Sequence, residues 1–297
     1  MTDVSLHACT LCPRACGADR TCGEAGVCGM PATLYISRCA PHMWEEPPIS
    51  GSRGSGTVFF TGCNLRCVFC QNRTISREGV GRPVTPDELT DLMLDLQDRG
   101  VHNLNLVTPT HYTAQLARVL EKIKPRLHIP VVWNSGGYES VEALRLVEGL
   151  VDIYLPDFKY LSSDLAAAYS SAPDYPDRAT KAVMEMYRQV GPYRERDGLA
   201  EGGLILRHLV LPGCRADSMA VLRHIAAILP RDQIRVSVMR QYTPDFAMDC
   251  PHKNLRRRVT EFEYNSVLAE AAGLGLEGFS QGRDAADKAY TPDFEGE

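Results

Sequence analysis

Short apolar runs alternate with segments of helical periodicity from about residue 53 to residue 280. The first run, at 56–61, is apolar and rich in β-branched and aromatic residues, which is typical of a buried strand. A helix is predicted next because Thr85 and Glu88 form a capping box, with proline at the first helical position, ahead of leucines at helical spacing. Further apolar runs predict strands at 104–108, 130–133, 151–155, 204–211 and 234–239.

Helical periodicity separates these strands. Helices are predicted around 116–123, 144–147 and 178–190, then one capped by Asp217 and a last one that begins at the capping box of Thr260. Six successive strand–helix units imply parallel strands joined by crossover helices, and therefore an α/β fold. The strands form either an open doubly wound sheet or a barrel, and in both the active site belongs at their carboxyl ends.

The two ends of the chain differ from this middle part. Residues 1–50 are rich in Cys, Gly and Pro and have little periodicity, which predicts a Cys-rich N-terminal extension that binds metal. Residues 51–280 form the predicted α/β domain. Residues 281–297 are polar and are predicted to pack on the domain as a tail.

Composition narrows the class of protein. With 297 residues, of which 44% are hydrophobic, the chain can bury a sizeable core. The formal net charge of −5 argues against a nucleic-acid partner. No apolar run reaches the ~20 residues of a membrane span, and the first residues lack a signal-peptide pattern. We therefore expect a cytoplasmic protein that binds neither nucleic acid nor a membrane.

The chain has eleven cysteines, and eight of them fall in two tight clusters. In a large chain such clusters indicate metal ligation. The stronger cluster is Cys63, Cys67 and Cys70, a CxxxCxxC loop directly after the first predicted strand. Three thiolates on one loop suit a cubane iron–sulfur cluster with one iron left open, whereas a structural zinc site normally needs four protein ligands. The alternatives are zinc with a fourth ligand from elsewhere in the chain, or three buried free thiols.

The region 53–280 resembles the radical S-adenosylmethionine (SAM) superfamily, whose signature is CxxxCxxC after the first strand and whose fold is a partial (β/α)6 TIM barrel. Phe69 matches the aromatic residue that the family places before the last cysteine. The resemblance implies a [4Fe–4S] cluster whose open iron chelates the amino and carboxylate groups of SAM. One electron then cleaves the S–C bond, and the 5′-deoxyadenosyl radical abstracts hydrogen from a substrate. A flavodoxin- or ferredoxin-type protein is the expected reductant.

Within the superfamily, the chain resembles the PflX-like group related to pyruvate formate-lyase-activating enzymes. The stretches that carry this resemblance are CPRACGADR, LVTPTHYT, WNSGGYES, VDIYLPDFKY, LILRHLVLPG, VSVMRQYTP and DKAYTPDF. The first functional hypothesis is therefore an oxidoreductase that installs a glycyl radical on a partner enzyme. The second is a radical SAM enzyme that modifies a small molecule or a peptide. The third, a non-catalytic metal-binding or electron-transfer protein, is weaker because a plain electron carrier needs neither an open iron nor a barrel.

The same resemblance implies SAM-binding roles for residues at the carboxyl ends of the strands. Lys159 would lie near the SAM carboxylate as a point charge with three donors. The activases bind the SAM amino group through a GGE-type motif, which is absent here, so that Thr110 or His111 would take over this contact. The other residues with implied roles in SAM binding are Asn134, Ser135, Gly136, Asp157, Arg207 and Gln241.

Simpler roles compete with these. Lys159 could be a solvated lysine at a strand end, and Asn134 could cap a turn. Arg207 lies within an apolar strand, where a charge is costly unless paired, and this favours function. His208 alternates to the opposite face of that strand and is predicted to be a packed, hydrogen-bonded histidine.

The second cysteine cluster comprises Cys9, Cys12, Cys16, Cys22 and Cys28. Four thiolates satisfy either a tetrahedral zinc ion or a fully ligated iron–sulfur cluster, and both remain open. The resemblance favours Cys9, Cys12, Cys16 and Cys28 as the ligands and leaves Cys22 over. The isolated cysteines are expected to be structural.

Overall fold

The computed structural model describes residues 4–282 and Phe294. The predicted tail at 281–297 therefore lies almost wholly outside the described residues, as does the DKAYTPDF stretch except for its last residue. The strands of the described chain are β1 Leu34–His42, β2 Ser55–Phe60, β3 Arg82–Val84, β4 Leu104–Val107, β5 Val131–Ser135, β6 Ile153–Pro156, β7 Arg194–Arg196, β8 Leu199–Leu209, β9 Arg235–Met239 and β10 Gly278–Ser280.

Helices separate most of these strands. The α-helices are α1 Val4–His7, α2 Pro47–Ser50, α3 Arg73–Ser76, α4 Pro86–Asp98, α5 Thr113–Ile123, α6 Val141–Leu144, α7 Ser163–Ser170, α8 Tyr175–Val190, α9 Arg215–Ile228 and α10 Glu261–Gly273. Short 3-10 helices lie at Arg20–Cys22, Thr110–Tyr112, Lys124–Arg126, Arg145–Val147, Arg231–Gln233, Pro244–Ala247 and Lys253–Arg256. No helix in 4–282 has the length and apolar character needed to cross a bilayer.

The strands form one open, mostly parallel sheet, which confirms the predicted α/β class. Its order is β10-β9-β8-β6-β5-β4-β2-β1-β3, and β7 pairs antiparallel with β8. All pairings from β2 to β10 along this order are parallel. The six predicted strands are β2, β4, β5, β6, β8 and β9, so the predicted sequence of strand–helix units is confirmed.

The N-terminal segment contains regular structure that the sequence did not reveal. Strand β1 pairs antiparallel with β2, from His42 opposite Ser55 to Ile36 opposite Phe60. No strand was predicted before residue 50, so β1 is an element that the sequence analysis missed. Only Leu34 and Ile36 of this strand are fully buried, and the rest of it is half-exposed, so its hydrophobic pattern is weak.

Helix caps agree with the predictions in two cases out of three. The Thr85 and Thr260 hydroxyls both accept a hydrogen bond from the backbone N–H three residues on, and Glu263 completes the second box. Asp217 is not a cap, because α9 begins two residues earlier. Its carboxylate instead accepts from the N–H groups of Leu161 and Ser162, with Ser162 N at 2.7 Å, and so fixes the loop after β6.

The two faces of the sheet are covered differently. Alternate strand residues such as Trp133 and Leu206 pack with the long helices in the main core. The other face, which includes Val132 and Ile205, packs around Ile49 of α2. The Asn103 side chain fixes α2 against this face of the sheet by donating to the Ile49 carbonyl at 2.7 Å. Barrel interiors are packed by side chains, and here a short inserted helix supplies part of that packing.

Candidate active site

A cavity of about 430 Å³ opens at the carboxyl ends of the parallel strands. This is the edge at which the sequence predicts the active site. His42 of the antiparallel strand β1 lies on its wall. The other strand residues there come from six of the seven parallel strands: Phe59 of β2, Val107 of β4, Asn134 of β5, Arg207 and Leu209 of β8, Ser237 and Met239 of β9, and Phe279 and Ser280 of β10.

The CxxxCxxC loop forms one side of this cavity. Cys67, Phe69 and Cys70 lie on the wall, and Cys63 packs against the core behind them. Polar groups surround the three sulfurs. The Leu65 N–H donates to Cys63 Sγ at 3.4 Å, while Ser170 and Ser76 hydroxyls lie 3.0 and 3.3 Å from the sulfurs of Cys67 and Cys70.

Burial and neighbouring thiols raise the pKa values of two of the three cysteines. Burial, reinforced by the neighbouring thiolates, raises the pKa of Cys63 to about 12 and also raises the pKa of Cys70. Such a cluster of thiols is poorly suited to act as free thiolate nucleophiles. Bound metal reverses this, because a coordinated thiol is deprotonated outright.

These residues fit a [4Fe–4S] cluster. The loop supplies three sulfur ligands and N–H and O–H donors to the sulfurs, which are the groups that tune iron–sulfur sites. Its open side faces a cavity, where a fourth iron would meet a ligand. Within residues 4–282 and Phe294, no three His, Cys, Asp or Glu side chains are arranged to coordinate a single metal ion.

A buried network of charges lies beside the cysteines on the cavity wall. Arg207 donates to Asp157 at 2.9 Å, to Glu45 at 3.2 Å and to the Asn134 amide oxygen at 2.6 Å. Lys159 donates to the other oxygen of Asp157 at 2.5 Å. The Arg207 side chain is 14% exposed and that of Lys159 is 17% exposed, so neither is a solvated surface charge.

The pKa values in this network follow from pairing. Burial acts to raise the pKa of Asp157, but Lys159 and Arg207 outweigh it and hold this pKa below its usual value. Burial acts to lower the pKa of Lys159, but Asp157 and then Cys67 outweigh it, so this pKa is raised. Both groups are therefore charged at neutral pH, and the positive charge of Lys159 lies close to the cluster loop.

Two acidic residues that sequence reasoning missed complete the network. Glu45 and Glu46 line the cavity beside Arg207, and their side chains are 9% and 6% exposed. Burial raises the pKa of each carboxyl, although Arg207 opposes this. The only sequence feature that could have identified these two residues is their position between Trp44 and two consecutive prolines.

Five of the eight residues proposed for SAM binding line the cavity: Asn134, Asp157, Lys159, Arg207 and Gln241. Gln241 lies next to the cluster loop, since its carbonyl accepts from Gln71 at 2.9 Å. Ser135, Gly136 and Thr110 are not among the described residues that line the cavity.

The last three residues have structural contacts. The Thr110 hydroxyl donates to the buried carboxylate of Glu139 at 2.9 Å. Ser135 is buried, and its hydroxyl accepts from the N–H of Gly137. A Cβ on Gly136 would lie 2.9 Å from Leu65 Cδ1, so that glycine lets β5 approach the cluster loop closely.

His111 and His208 are buried near these strands, and each bonds a backbone carbonyl. His111 is buried and bonds the carbonyl of Thr61, at the start of the cluster loop, at 2.8 Å. His208 bonds the Phe158 carbonyl at 2.7 Å, which confirms its predicted packed role. Burial lowers the pKa of both residues, to about 3 for His111, where Arg20 contributes, and to about 4 for His208.

The N-terminal cysteines gather around the segment before β1. A Cβ on Gly26 would lie 2.8 Å from the sulfur of Cys16 and 3.9 Å from that of Cys28. Burial raises the pKa of Cys12 to about 11, and the charges of Cys28 and Cys9 add to this effect. Cys22 is turned away from this group and donates to Asp19 at 3.4 Å.

This N-terminal group contacts the cluster loop directly. The N–H of Cys63 donates to the carbonyl of Cys28 at 3.2 Å. Arg14 donates to the Asn64 carbonyl at 2.8 Å, and Arg66 donates to the Val27 carbonyl at 3.1 Å. The two cysteine-rich segments thus form one continuous hydrogen-bonded unit.

Comparison with known proteins identifies relatives. The sequence profile described as the Radical SAM superfamily matches residues 57–193. The chain is also 31% identical over 281 residues to an uncharacterized protein of Methanocaldococcus jannaschii, MJ0674, a match that covers 90% of this chain and 76% of that relative.

Solved structures share the fold at low sequence identity. SuiB of Streptococcus suis, solved with its precursor peptide SuiA, has a TM-score of 0.53 and 14% identity over 74% of this chain. The match covers 46% of SuiB, so this chain spans about half of that protein's length. A cysteine-to-alanine mutant of spore photoproduct lyase has a TM-score of 0.51 and 11% identity, covering 82% of this chain and 80% of the lyase.

Proposed function

Since this chain belongs to the radical SAM superfamily, we propose that it cleaves SAM reductively at a [4Fe–4S] cluster bound by Cys63, Cys67 and Cys70. When bound, the cluster supplies the electron that breaks the S–C bond of SAM, and the radical so formed takes hydrogen from a substrate. One observation carries this proposal above the others. Two of the three cysteines share a cavity wall with two buried cations, Lys159 and Arg207.

The cations bind and orient SAM in this proposal. Lys159 lies nearest to the cysteines and faces the SAM carboxylate, to which it can donate while remaining paired with Asp157. Arg207 is held by Asp157 and Asn134, so its guanidinium is preorganised before SAM arrives. Gln241 lies on the cavity wall beside the cluster loop, and its side-chain amide is proposed to contact the adenosine. The surrounding apolar wall, with Phe59, excludes water from the radical.

The substrate is a polypeptide in this proposal, in the first instance a glycine of a partner enzyme, as in the activases that the sequence resembles. Large apolar side chains at the mouth of the cavity support this. Met43 is 45% exposed and Trp44 is 59% exposed, and both line the opening. Aromatic and methionine side chains are enriched where proteins meet partners. Modification of a peptide is the second candidate, and it is favoured by the carboxylates of Glu45 and Glu46 on the cavity wall.

Release of deoxyadenosine tests the proposed cleavage. Protein reconstituted anaerobically with iron and sulfide, then given dithionite and SAM, is expected to release 5′-deoxyadenosine, measured by liquid chromatography. Omission of dithionite is the control and should abolish release. Protein that holds four irons at the loop and still releases none would contradict the proposal. With a candidate glycyl radical enzyme as partner, a carbon-centred radical signal in electron paramagnetic resonance (EPR) would identify the activase form.

The second metal site is proposed at Cys9, Cys12, Cys16 and Cys28. It anchors the cluster loop through the contact between Cys28 and Cys63 described above. We expect serine at all four positions to remove that metal, zinc or iron, without removing the iron bound by the loop. Because metal binding at such a site is coupled to folding, the thermal midpoint should fall by at least about 5 °C.

Metal analysis and calorimetry check this expectation. Cys22→Ser is the matched control, because Cys22 lies in the same segment but is turned toward Asp19, and it should keep the full metal content. Equal metal content in the fourfold variant and the native protein would refute the assignment.

A further inference from the structure

Glu45 and Glu46 are here called the acidic pair; both oxygens of Glu45 have hydrogen-bond donors, whereas one oxygen of Glu46 has none. Both residues are buried on the cavity wall. Arg207 donates to Glu45 at 3.2 Å but lies 3.9 Å from Glu46 Oε2, beyond hydrogen-bond range. This oxygen is fully buried and has no hydrogen-bond partner among the described residues. A buried carboxylate oxygen without a donor is costly, so its position calls for a partner that arrives with a ligand.

The balance of charges in the buried network also favours the binding of a positively charged ligand. The network contains three carboxylates, those of Glu45, Glu46 and Asp157, but only the cations Lys159 and Arg207. When fully ionised it carries one net negative charge in a buried site. In the proposed complex, SAM brings one carboxylate and one sulfonium, which balance each other, so the surplus negative charge of the network remains.

The acidic pair lies at the Arg207 end of the network, where Glu45 accepts hydrogen bonds from Arg207 and Asn134, each at 3.2 Å. Lys159 interacts electrostatically with Cys67 and is the charge nearest the cluster loop. The charged neighbours of Glu45 and Glu46 are instead Arg207, Asp157 and each other. SAM chelates the open iron through its neutral amino group and its carboxylate in the proposed function, so this part of SAM belongs at the Lys159 end. The acidic pair lies at the other end of the network, beside Arg207, next to the part of the cavity that this leaves for substrate.

We infer that the acidic pair binds a protonated amine of the substrate, in a polypeptide the side chain of a lysine. An ammonium group has three donors and can satisfy Glu46 Oε2 and Glu45 together. A lysine also reaches a buried site on a slender, flexible stem. A divalent metal ion is a poorer occupant, because it needs a full shell of oxygen ligands and Arg207 already donates into this one. This inference rests on the proposed function in one respect, that substrate and SAM share the cavity.

Paired probes test the inference. The probes are Nα-acetyl-lysine amide and Nα-acetyl-norleucine amide, which differ only in the terminal amino group. Binding to the reconstituted protein with SAM bound, measured by saturation-transfer NMR titration, should favour the lysine probe by about tenfold, the contribution of one charge-assisted hydrogen bond. In Glu46→Gln this preference should fall to less than about threefold.

Controls separate this site from the proposed SAM chemistry. Glu121→Gln changes an exposed glutamate far from the cavity wall and should keep the native preference. The affinity for SAM, measured by calorimetry, should change by less than about threefold in Glu46→Gln. Unchanged iron content and thermal midpoint would show that this variant folds.

Other outcomes overturn the inference. Equal binding of the two probes to the native protein, or no detectable binding of either, contradicts it. A loss of SAM affinity in Glu46→Gln with the probe preference intact would assign the acidic pair to the amino group of SAM. Because these measurements do not use SAM cleavage, an amine preference in protein that releases no deoxyadenosine would preserve this site while refuting the proposed function.

Discussion

Replacing Cys63, Cys67 and Cys70 together with alanine is expected to abolish deoxyadenosine release, a fall of at least about a thousandfold. The reason is that each thiolate holds one iron of the proposed cluster, and alanine offers no replacement ligand. Iron bound at the loop should be lost in the same variant. Release and iron content are both measured after anaerobic reconstitution.

A matched triple variant controls for the loss of cysteine itself. Cys22, Cys39 and Cys250 lie outside both proposed ligand sets, and alanine at these three positions should leave iron content and release near native values. Release that survives the loss of the loop cysteines would show that the cluster is not the source of the radical.

Arg207→Met is expected to destabilise the protein by about 3–5 kcal/mol, because removing one partner of a buried ion pair leaves the others uncompensated. Glu45, Glu46 and Asp157 all depend on this guanidinium. SAM affinity should fall as well. Urea unfolding under anaerobic conditions measures the free energy of unfolding, and calorimetry measures SAM binding.

Two further variants separate charge balance from loss of packing. Arg223→Met removes an arginine that pairs with Glu270 but is 59% exposed, and this should cost less than about 1 kcal/mol. Adding Glu45→Gln and Glu46→Gln to Arg207→Met should recover part of the lost stability. If Arg207→Met costs no more than Arg223→Met, the buried network is not the source of stability described here.

Local sequence patterns predicted the scaffold of the site. Buried parallel strands are continuous apolar runs, so β4, β5 and β9 could be recognised without tertiary information. The cluster loop is a short motif at fixed spacing. Lys159 and Arg207 were identified through the resemblance to the activases, and for Arg207 the cost of an unpaired charge within an apolar strand also favoured function.

Contacts between distant segments could not be predicted in the same way. Glu45 lies 162 residues before Arg207, and nothing in the local pattern of either residue identifies the other. The hydrogen bond from Thr110 to Glu139, 29 residues later, was likewise not apparent from the segment that follows the strand. Strand β1 was missed because half-exposed strands at the antiparallel side of a sheet lack a clear period.

The central claim is that the loop of Cys63, Cys67 and Cys70 holds a cluster whose open iron binds SAM. EPR of the anaerobically reduced native protein, recorded with and without SAM, tests this most directly. We predict a [4Fe–4S]⁺ signal whose g values shift when SAM is added, because the cofactor enters the coordination sphere of the iron. A cluster signal that saturating SAM leaves unchanged, or reduced protein with no such signal, would contradict the account.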